Sequence, residues 1–556
     1  MRENGLTRRS VLSGAAALLG GAAAGSTIPM ATAEPGTAAA VPPGPVVRPG
    51  DPRYPDLMTG NNQRFVARPE YVKLITSTAD AENAVRDAVR AGKRVSVRGG
   101  GHCFSDFVCN PEIEVILDVS AMTDVYYDER MRAFCVQSGA RLTNVYEALY
   151  KGWHVTIPGG VCWSVGIAGH VAGGGYGLLS RAQGLTVDHL YAVEVVTVDA
   201  RGGVRTVVAT READDPNRDL WWGHTGAGGG NFGVITRYWF RSPDARGTDP
   251  ADQLVSPPST VLVSAVEFDW DELDQASFTR LVRNFGTWHE RNADPGSATT
   301  AVSSLFNVSH RAHGSMGMFT QVDATAPNAR RMLDDYLAAI TEGVAARPRP
   351  AKAPIGELGR LPIDLGEPRE LPWLQAARLV GTNNPTITDP TSRGVHKSAY
   401  LRKAFTDEQC AALYRGMTGE DFTNPDTMLV LLSFGGRVNA PERGATAHAQ
   451  RDSAFKMCLQ TFWNSAEDDD FHIAWARETY RGMFAATGGV PVPGEHADGC
   501  YINYPDNDVA APEFNRSGVP WQALYYRENY SRLQQVKKRW DPADHFRHAL
   551  SIEPAR

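Results

Sequence analysis

Three consecutive glycines stand directly before a histidine in "RVSVRGGGHCF", residues 94–104, at the end of a short β-branched run. Val95 and Val97 alternate with Ser96 and Arg98 as in a strand, and the glycines then predict a tight turn that no side chain shields. Such a turn lets a ligand approach the backbone closely, with His102 held at its rim. Two further stretches repeat the device: "PGGVCWSVGIAGHVAGGGYG" at 158–177 and "GHTGAGGGNFGVIT" at 223–236. With 54 glycines in 556 residues, close backbone approaches are expected at several places.

Gly228, Gly230 and Gly233 also fit G-x-G-x-x-G, the dinucleotide fingerprint. That fingerprint needs a helix after the last glycine, whereas the next residues here, "VITRYWF", read as a strand. A nucleotide would therefore be held by loops whose backbone N–H groups point at phosphates. Flexible loops without a ligand are the alternative reading of the three clusters.

The length predicts two or three domains. A net charge of −7, with 42% hydrophobic and 21% charged residues, describes a soluble globular protein and argues against a nucleic-acid binder. Residues 66–243 alternate short strands ("EYVKLITST", "EVILDVS", "AFCVQSG") with amphipathic helices ("DAENAVRDAVRAGK", "RLTNVYEALYKGW"). After about residue 255 long strands such as "STVLVSAVEFDW", "TMLVLLSFGG" and "AFKMCLQTFW" come grouped between helices. This predicts an antiparallel sheet with helices on one face, in an α+β chain. "ARPRPAKAP" at 346–354 reads as a proline-rich loop. "HRAH" at 310–313 hints at metal, but on a strand His310 and His313 face opposite sides, so no metal site is expected.

The N-terminus reads as an address. Arg8 and Arg9 precede a weakly hydrophobic Ala/Gly-rich run, and "ATA" at Ala31–Ala33 offers a cleavage site. Paired arginines in this setting resemble the bacterial twin-arginine export signal over residues 1–33; an ordinary signal with a chance Arg-Arg pair is the alternative. The run is too short and glycine-broken for a membrane anchor. Residues 34–60, rich in Pro, Gly and Ala, read as flexible or extended. The seven cysteines lack zinc-ligand spacing. In an exported protein Cys103 and Cys109 are the nearest candidates for a disulfide, and the odd total leaves one spare.

Together, "RVSVRGGGH", "GGVCWSVGIAGHVAGGGYGLLSRAQGLTVDHL" and "GGGNFGVITRYWF" resemble the FAD-binding domain of the berberine-bridge-enzyme-like oxidases, within the p-cresol methylhydroxylase/vanillyl-alcohol oxidase superfamily. The tail, "YINYPDND" followed by "RLQQVKKRWDPADHF", is similar to that family's C-terminal segment. "WWGHTGAGGGNFG" departs from the pattern of many members and looks more like the antibiotic-tailoring branch than the plant one. The resemblance implies an FAD-binding domain over 61–245, a substrate domain over 246–497 and a segment, 498–556, returning to the FAD domain.

It also implies site residues. His102 matches the histidine joined to the flavin 8α-methyl carbon, and Cys162 the cysteine that tethers flavin C6 in a subset of the family. The backbone around Arg98, Gly99, Gly100 and Gly101, and around Val165, Gly166 and Gly169, is expected to line the pyrophosphate and flavin. Gly173, Gly174, Gly175, Gly177 and Asp188 are expected to shape the neighbouring loop. Asn231, Phe232, Gly233 and Val234 fall on the adenine side, and Tyr501 and Asn503 reach back from the tail. Tyr504 matches the family's tail tyrosine as catalytic base, with Tyr400 in "HKSAY" second. Berberine-bridge enzyme has a glutamate on a strand where this chain offers only Asn439 nearby, which argues against the berberine-type reaction.

The expected reaction is oxidation of a hydroxyl group of a bulky natural product or glycoside, with FAD as hydride acceptor and O2 reduced to hydrogen peroxide. A carbohydrate oxidase acting on reducing sugars is the alternative within enzymes, and a flavin-binding protein without turnover the alternative outside them. No nucleic acid or membrane partner is expected.

Overall fold

A computed structural model describes residues 41–556 apart from residue 383. The leader, with Arg8, Arg9 and Ala31–Ala33, lies outside the described residues. Alternating apolar side chains set the strands, and three sheets result. The first contains β1 (Val46–Val47), β2 (Tyr71–Leu74), β3 (Val95–Arg98) and β4 (Val115–Asp118) in the order β1-β2-β4-β3. β2, β4 and β3 run parallel, with the helix Thr78–Arg90 crossing from β2 to β3. Ser77 caps that helix by accepting from the Asp80 N–H at 3.1 Å.

The second sheet is antiparallel, in the order β5 (Val125–Asp128), β6 (Ala133–Gln137), β9 (Val234–Phe240), β7 (Leu190–Val198), β8 (Val204–Thr210). The stretch after Gly233 is thus a strand, as the failed dinucleotide fingerprint requires.

The third sheet is the antiparallel one expected after residue 255. Its order is β13 (Arg349–Pro350), β10 (Thr260–Asp269), β12 (Ser315–Asp323), β11 (Val302–Ser309), β16 (Thr427–Ser433), β17 (Phe455–Trp463), β15 (Arg393–Leu401), with β14 (Arg369–Pro372) also on β10. Period-two alternation sorts its side chains. Phe306, Val308, Leu429, Leu431, Met457 and Leu459 pack under the helices Gln275–Arg291, Ala329–Thr341, Asp407–Thr418 and Asp469–Met483. Leu305, Val430 and Leu432 on the opposite face join the core shared with residues 134–240. One face of this sheet is therefore sealed by helices and the other looks toward the glycine loops.

Three expectations change. Within 34–60, the described part is not flexible: Val46 pairs with Lys73 and Val47 with Val72, and the Gly44 N–H donates to Asp80 at 2.9 Å. Proline and glycine here shape an ordered arm, because its backbone groups find partners in the first sheet. No disulfide joins Cys103 to Cys109; all seven thiols are free, Cys109 lies buried among apolar neighbours, and desolvation pushes both thiols upward. His310 and His313 are not on a strand: β11 ends at Ser309, and His310 Nδ1 caps a short turn by accepting from the Ala312 N–H at 3.1 Å. No helix among the described residues is long and apolar enough to cross a membrane.

The tail is fixed to the third sheet by charge. Lys397 of β15 is fully enclosed and bonds Asp506 at 2.8 Å and Asp508 at 2.7 Å. Arg477 completes the neutralisation of Asp508 at 2.7 Å. Replacing Lys397 by Met leaves Asp506 in the interior without a cation, beside an Asp508 still held by Arg477, which costs about 3–5 kcal/mol. A clearly lower thermal midpoint for Lys397→Met is expected by calorimetry; an unchanged one would show that the tail is held by packing alone.

Candidate active site

β3 ends in Arg98, whose guanidinium is consumed by Asp118 at 2.5 and 2.7 Å and by the carbonyls of Leu57 and Thr59. Arg98 therefore anchors the turn, and its side chain is not free for a phosphate. Gly100 and Gly166 then meet backbone to backbone: a Cβ on Gly100 would stand 2.3 Å from the Gly166 nitrogen, and one on Gly166 would stand 2.4 Å from the Gly100 nitrogen. Gly101, at φ +77°, lies under the arm, where a Cβ on Gly60 would sit 2.7 Å from its carbonyl.

This junction brings the two expected tether positions together. His102 Nε2 and Ser164 Oγ are 3.0 Å apart, and the same hydroxyl lies 3.9 Å from Cys162 Sγ. Burial, aided by the charge of Arg141, lowers His102 to about 4, so its imidazole is neutral and nucleophilic at neutral pH. Burial and the nearby carboxylate of Glu357 push the Cys162 thiol up to about 11.

One cavity runs along the junction. At one end it is lined by Gly228, Gly229, Gly230, Gly233 and the tail residues Phe546–His548. It passes Arg98–Gly101, Val165, Gly166 and Gly169, and reaches His102, Cys162, Tyr176, Tyr501, Asn503 and Tyr504. A cleft whose wall includes three stretches of glycine backbone, together with a neutral imidazole and a thiol, fits a flavin dinucleotide.

Several expected residues stand behind the wall rather than on it. Asp188 binds Arg451 at 2.6 Å and caps the Leu185 N–H. Asn231 spans loop and tail, donating to the Ala227 carbonyl at 3.0 Å and accepting from the Ile552 N–H at 2.8 Å. Phe232 and Val234 are core residues. From this stretch the cavity wall is therefore made by Gly228–Gly230 and Gly233, together with the tail. Gly173, Gly174 and Gly175 make room for Asn503, His448 and Thr186, and only Gly177 of that group reaches the cavity. Asn503 in turn donates to the His170 carbonyl at 3.0 Å, clamping the tail over the loop.

The expected catalytic residues separate. Tyr504 lines the cavity, and its hydroxyl lies 2.8 Å from that of Tyr176. Tyr400 does not reach the cavity; it is enclosed by Phe434, His448 and Tyr501, with its hydroxyl unpartnered. β15 presents His396 to the cavity instead, and Tyr501 covers Tyr400. Asn439 also lies off the wall and donates to the carbonyls of Ala293 and Ser453.

Sequence reasoning misses three residues. Tyr176 sits inside a glycine-rich motif, "GGGYG", and its partnership with Tyr504 spans 328 residues. Lys456 of β17 places its ammonium 3.0 Å from the ring centre of Tyr176, 3.8 Å from that of Tyr501 and 4.7 Å from that of Tyr504. It makes no hydrogen bond, and burial lowers it well below an ordinary lysine. A lysine inside the apolar run "AFKMCLQTFW" is the available signal. Glu357, in the turn after the proline-rich segment, brings a carboxylate to the cavity wall. Burial holds Tyr176 and Tyr504 well above the usual phenol range.

Comparison with known proteins accords with this geometry. Residues 69–207 match the model of an FAD binding domain, and residues 500–553 that of the berberine and berberine-like family. The chain is 46% identical over 505 residues to the aclacinomycin-N/aclacinomycin-A oxidase of Streptomyces galilaeus, covering 91% of this chain and 89% of that one. A crystal structure of a flavoenzyme involved in shunt product recycling in caerulomycin biosynthesis superimposes with a TM-score of 0.88 at 47% identity, covering 93% of this chain and all of the other. A glycopeptide hexose oxidase solved with teicoplanin gives 0.85 at 46% identity, covering 92% and 100%. With its glycine-walled cleft, its tail returning to that cleft and likeness along nearly its whole length, the chain belongs to the berberine-bridge-enzyme-like FAD-linked oxidases.

Proposed function

We propose that this oxidase removes two hydrogens from a secondary hydroxyl of a bulky natural product or glycoside and is exported by the twin-arginine route. The observation that carries the chemistry is the Tyr504–Tyr176 hydroxyl pair, 2.8 Å apart on the same cavity as His102 and Cys162. The relatives named for aclacinomycin and for a glycopeptide hexose support a large, sugar-bearing substrate. Bound FAD would supply the hydride acceptor and return the electrons to O2 as hydrogen peroxide.

His102 and Cys162 would hold the flavin, the imidazole at the 8α-methyl carbon and the sulfur at C6. The backbone of Gly99–Gly101, Val165–Gly169 and Gly228–Gly230 cradles it. Tyr504 takes the hydroxyl proton of the substrate, and Tyr176 shares the resulting charge through their hydrogen bond. Burial opposes both a lone phenolate and a lone ammonium. Lys456 over the rings relieves both penalties at once, because opposite charges in contact cost less than either alone.

Acid precipitation is expected to leave the yellow colour with the polypeptide. Cys162→Ala keeps its flavin through His102 but changes its spectrum, since sulfur at C6 conjugates with the ring. Flavin released into the supernatant would end both assignments, and an unchanged spectrum would end that of Cys162. Tyr504→Phe is expected to slow substrate reduction of the flavin by about 10²–10⁴-fold with loading intact. A normal rate would make Tyr504 a packing residue.

The pH dependence comes from the shifts. The active form of the tyrosine pair has lost a proton, and burial raises the pH at which this occurs. Reduction is therefore expected to accelerate as pH rises. Lys456→Met removes the compensating charge, so its profile is displaced to higher pH in stopped-flow bleaching. A profile that stays in place would remove Lys456 from this role.

A further inference from the structure

The segment Ile355–Gly359 is a tight turn, closed by Ile355 N–H to the Gly359 carbonyl at 2.9 Å and Leu358 N–H to the Ile355 carbonyl at 2.9 Å. Ile355 and Leu358 are buried in the main core. Gly356 has φ +48°, and a Cβ there would stand 2.3 Å from Asn307 Oδ1 and 2.6 Å from Met428 Sδ, so the turn is pressed onto β11 and β16. Between these anchors Glu357 lines the cavity. Asn384 Nδ2 lies 3.4 Å from Glu357 Oε1 and 3.9 Å from Cys162 Sγ, so the carboxylate stands one amide away from the tether position.

Glu357 is the one carboxylate among the described residues lining this cavity. No cation among those residues bonds it. The basic side chains of the neighbourhood are otherwise engaged: Arg393 holds Asp469, and Lys456 covers the tyrosine rings. A carboxylate offers about four acceptor positions, and the neighbouring amide of Asn384, at 3.4 Å, satisfies at most one. Ser303, Asn307 and Thr386 extend the same polar wall. Leu305, Val430, Leu432 and Phe462 make the rest of the surroundings apolar. Such a site selects donors paired at close spacing, presented by a ring with apolar faces.

We propose that Glu357 is a specificity-determining residue that accepts hydrogen bonds from two adjacent hydroxyls of a pyranose, holding that sugar against the wall beside Cys162. This rests on the proposed function, in which the substrate is oxidised at a hydroxyl of a sugar-bearing molecule. The turn Ile355–Gly359 is then the element that sets which sugar is accepted, while the tyrosines act on whatever is held. Loss of the carboxylate weakens binding without touching the proton acceptor, so KM rises and kcat does not fall with it.

The test uses the flavin-loaded protein with a panel of pyranosides and their monodeoxy analogues, read by peroxide formation. Glu357→Gln and Glu357→Ala are compared with the parent after flavin content per chain has been matched by absorbance. For a pyranoside with adjacent free hydroxyls, KM is expected to rise about tenfold or more in Glu357→Ala, the scale of one charged hydrogen bond. The expected kcat stays within about threefold. A monodeoxy analogue is expected to lose affinity for the parent but not further for the variant, the signature of a shared contact. Binding of a non-oxidised deoxy analogue, tracked by perturbation of the flavin spectrum, gives the same comparison without turnover. An unchanged KM in both variants, or a fall in kcat alone, would overturn the assignment of Glu357 while leaving the sugar reading intact. A parent enzyme that oxidises non-sugar alcohols and no pyranoside would overturn the sugar reading itself, and this proposal with it.

Discussion

The site depends on one contact in which no side chain takes part. Gly100 and Gly166 lie so close that either Cβ would collide with the other's backbone nitrogen. Two loops sixty-odd residues apart thereby meet at main-chain distance, and the second is tied in turn to residues 140–141 by the bridge between Arg141 and Gly166 and the Ile167 N–H bond to the Ala140 carbonyl. Because the lock is made of backbone, the residues just beyond it are fixed in direction. His102 and Cys162 leave the junction toward the same serine, and both line the cavity. Steric exclusion at two glycines thus takes the place that a hydrogen-bond network holds in other sites.

Around that lock the charges are arranged so that few act at long range. Arg98, Asp118, Asp188 and Arg451 are paired off behind the wall. Lys397 is absorbed by the two tail carboxylates. Glu357 on the cavity wall and Lys456 against the tyrosine rings have no ion-pair partner among the described residues, and Tyr176 and Tyr504 are held protonated by burial. In a low-dielectric interior these few groups interact strongly, which is why their spacing matters more than the net charge of the chain.

The sequence disclosed the parts of the molecule that obey local rules. Glycine turns, the apolar run in "TMLVLLSFGG" and the strand after Gly233 are legible because φ preferences and the burial of short apolar strands act over a few residues. The order of the arm at residues 42–60 was not legible, since proline and glycine mark a loop equally well whether or not its backbone finds partners. Asn231 and Asp188 fall in the right motif yet serve as struts, because a motif records that a residue is needed and not which way it points. Lys456, Tyr176 and Glu357 come from three separate regions of the chain. Their meeting is a property of sheet register and of one pinned turn, and no window along the sequence contains it.

The partnership of Tyr176 with Tyr504 across 328 residues has a consequence in time. A ribosome adding about 5–20 residues per second needs roughly a quarter of a minute to a minute to travel from one tyrosine to the other. During that interval the loops bearing His102 and Cys162 have already emerged, while the tail that closes the cavity has not yet been made. A cleft that is finished only by the last tenth of the chain is assembled after synthesis, not during it. Cofactor capture is then a race between tail docking and whatever else the open glycine loops encounter, and the outcome is set by how much flavin is at hand in that first minute.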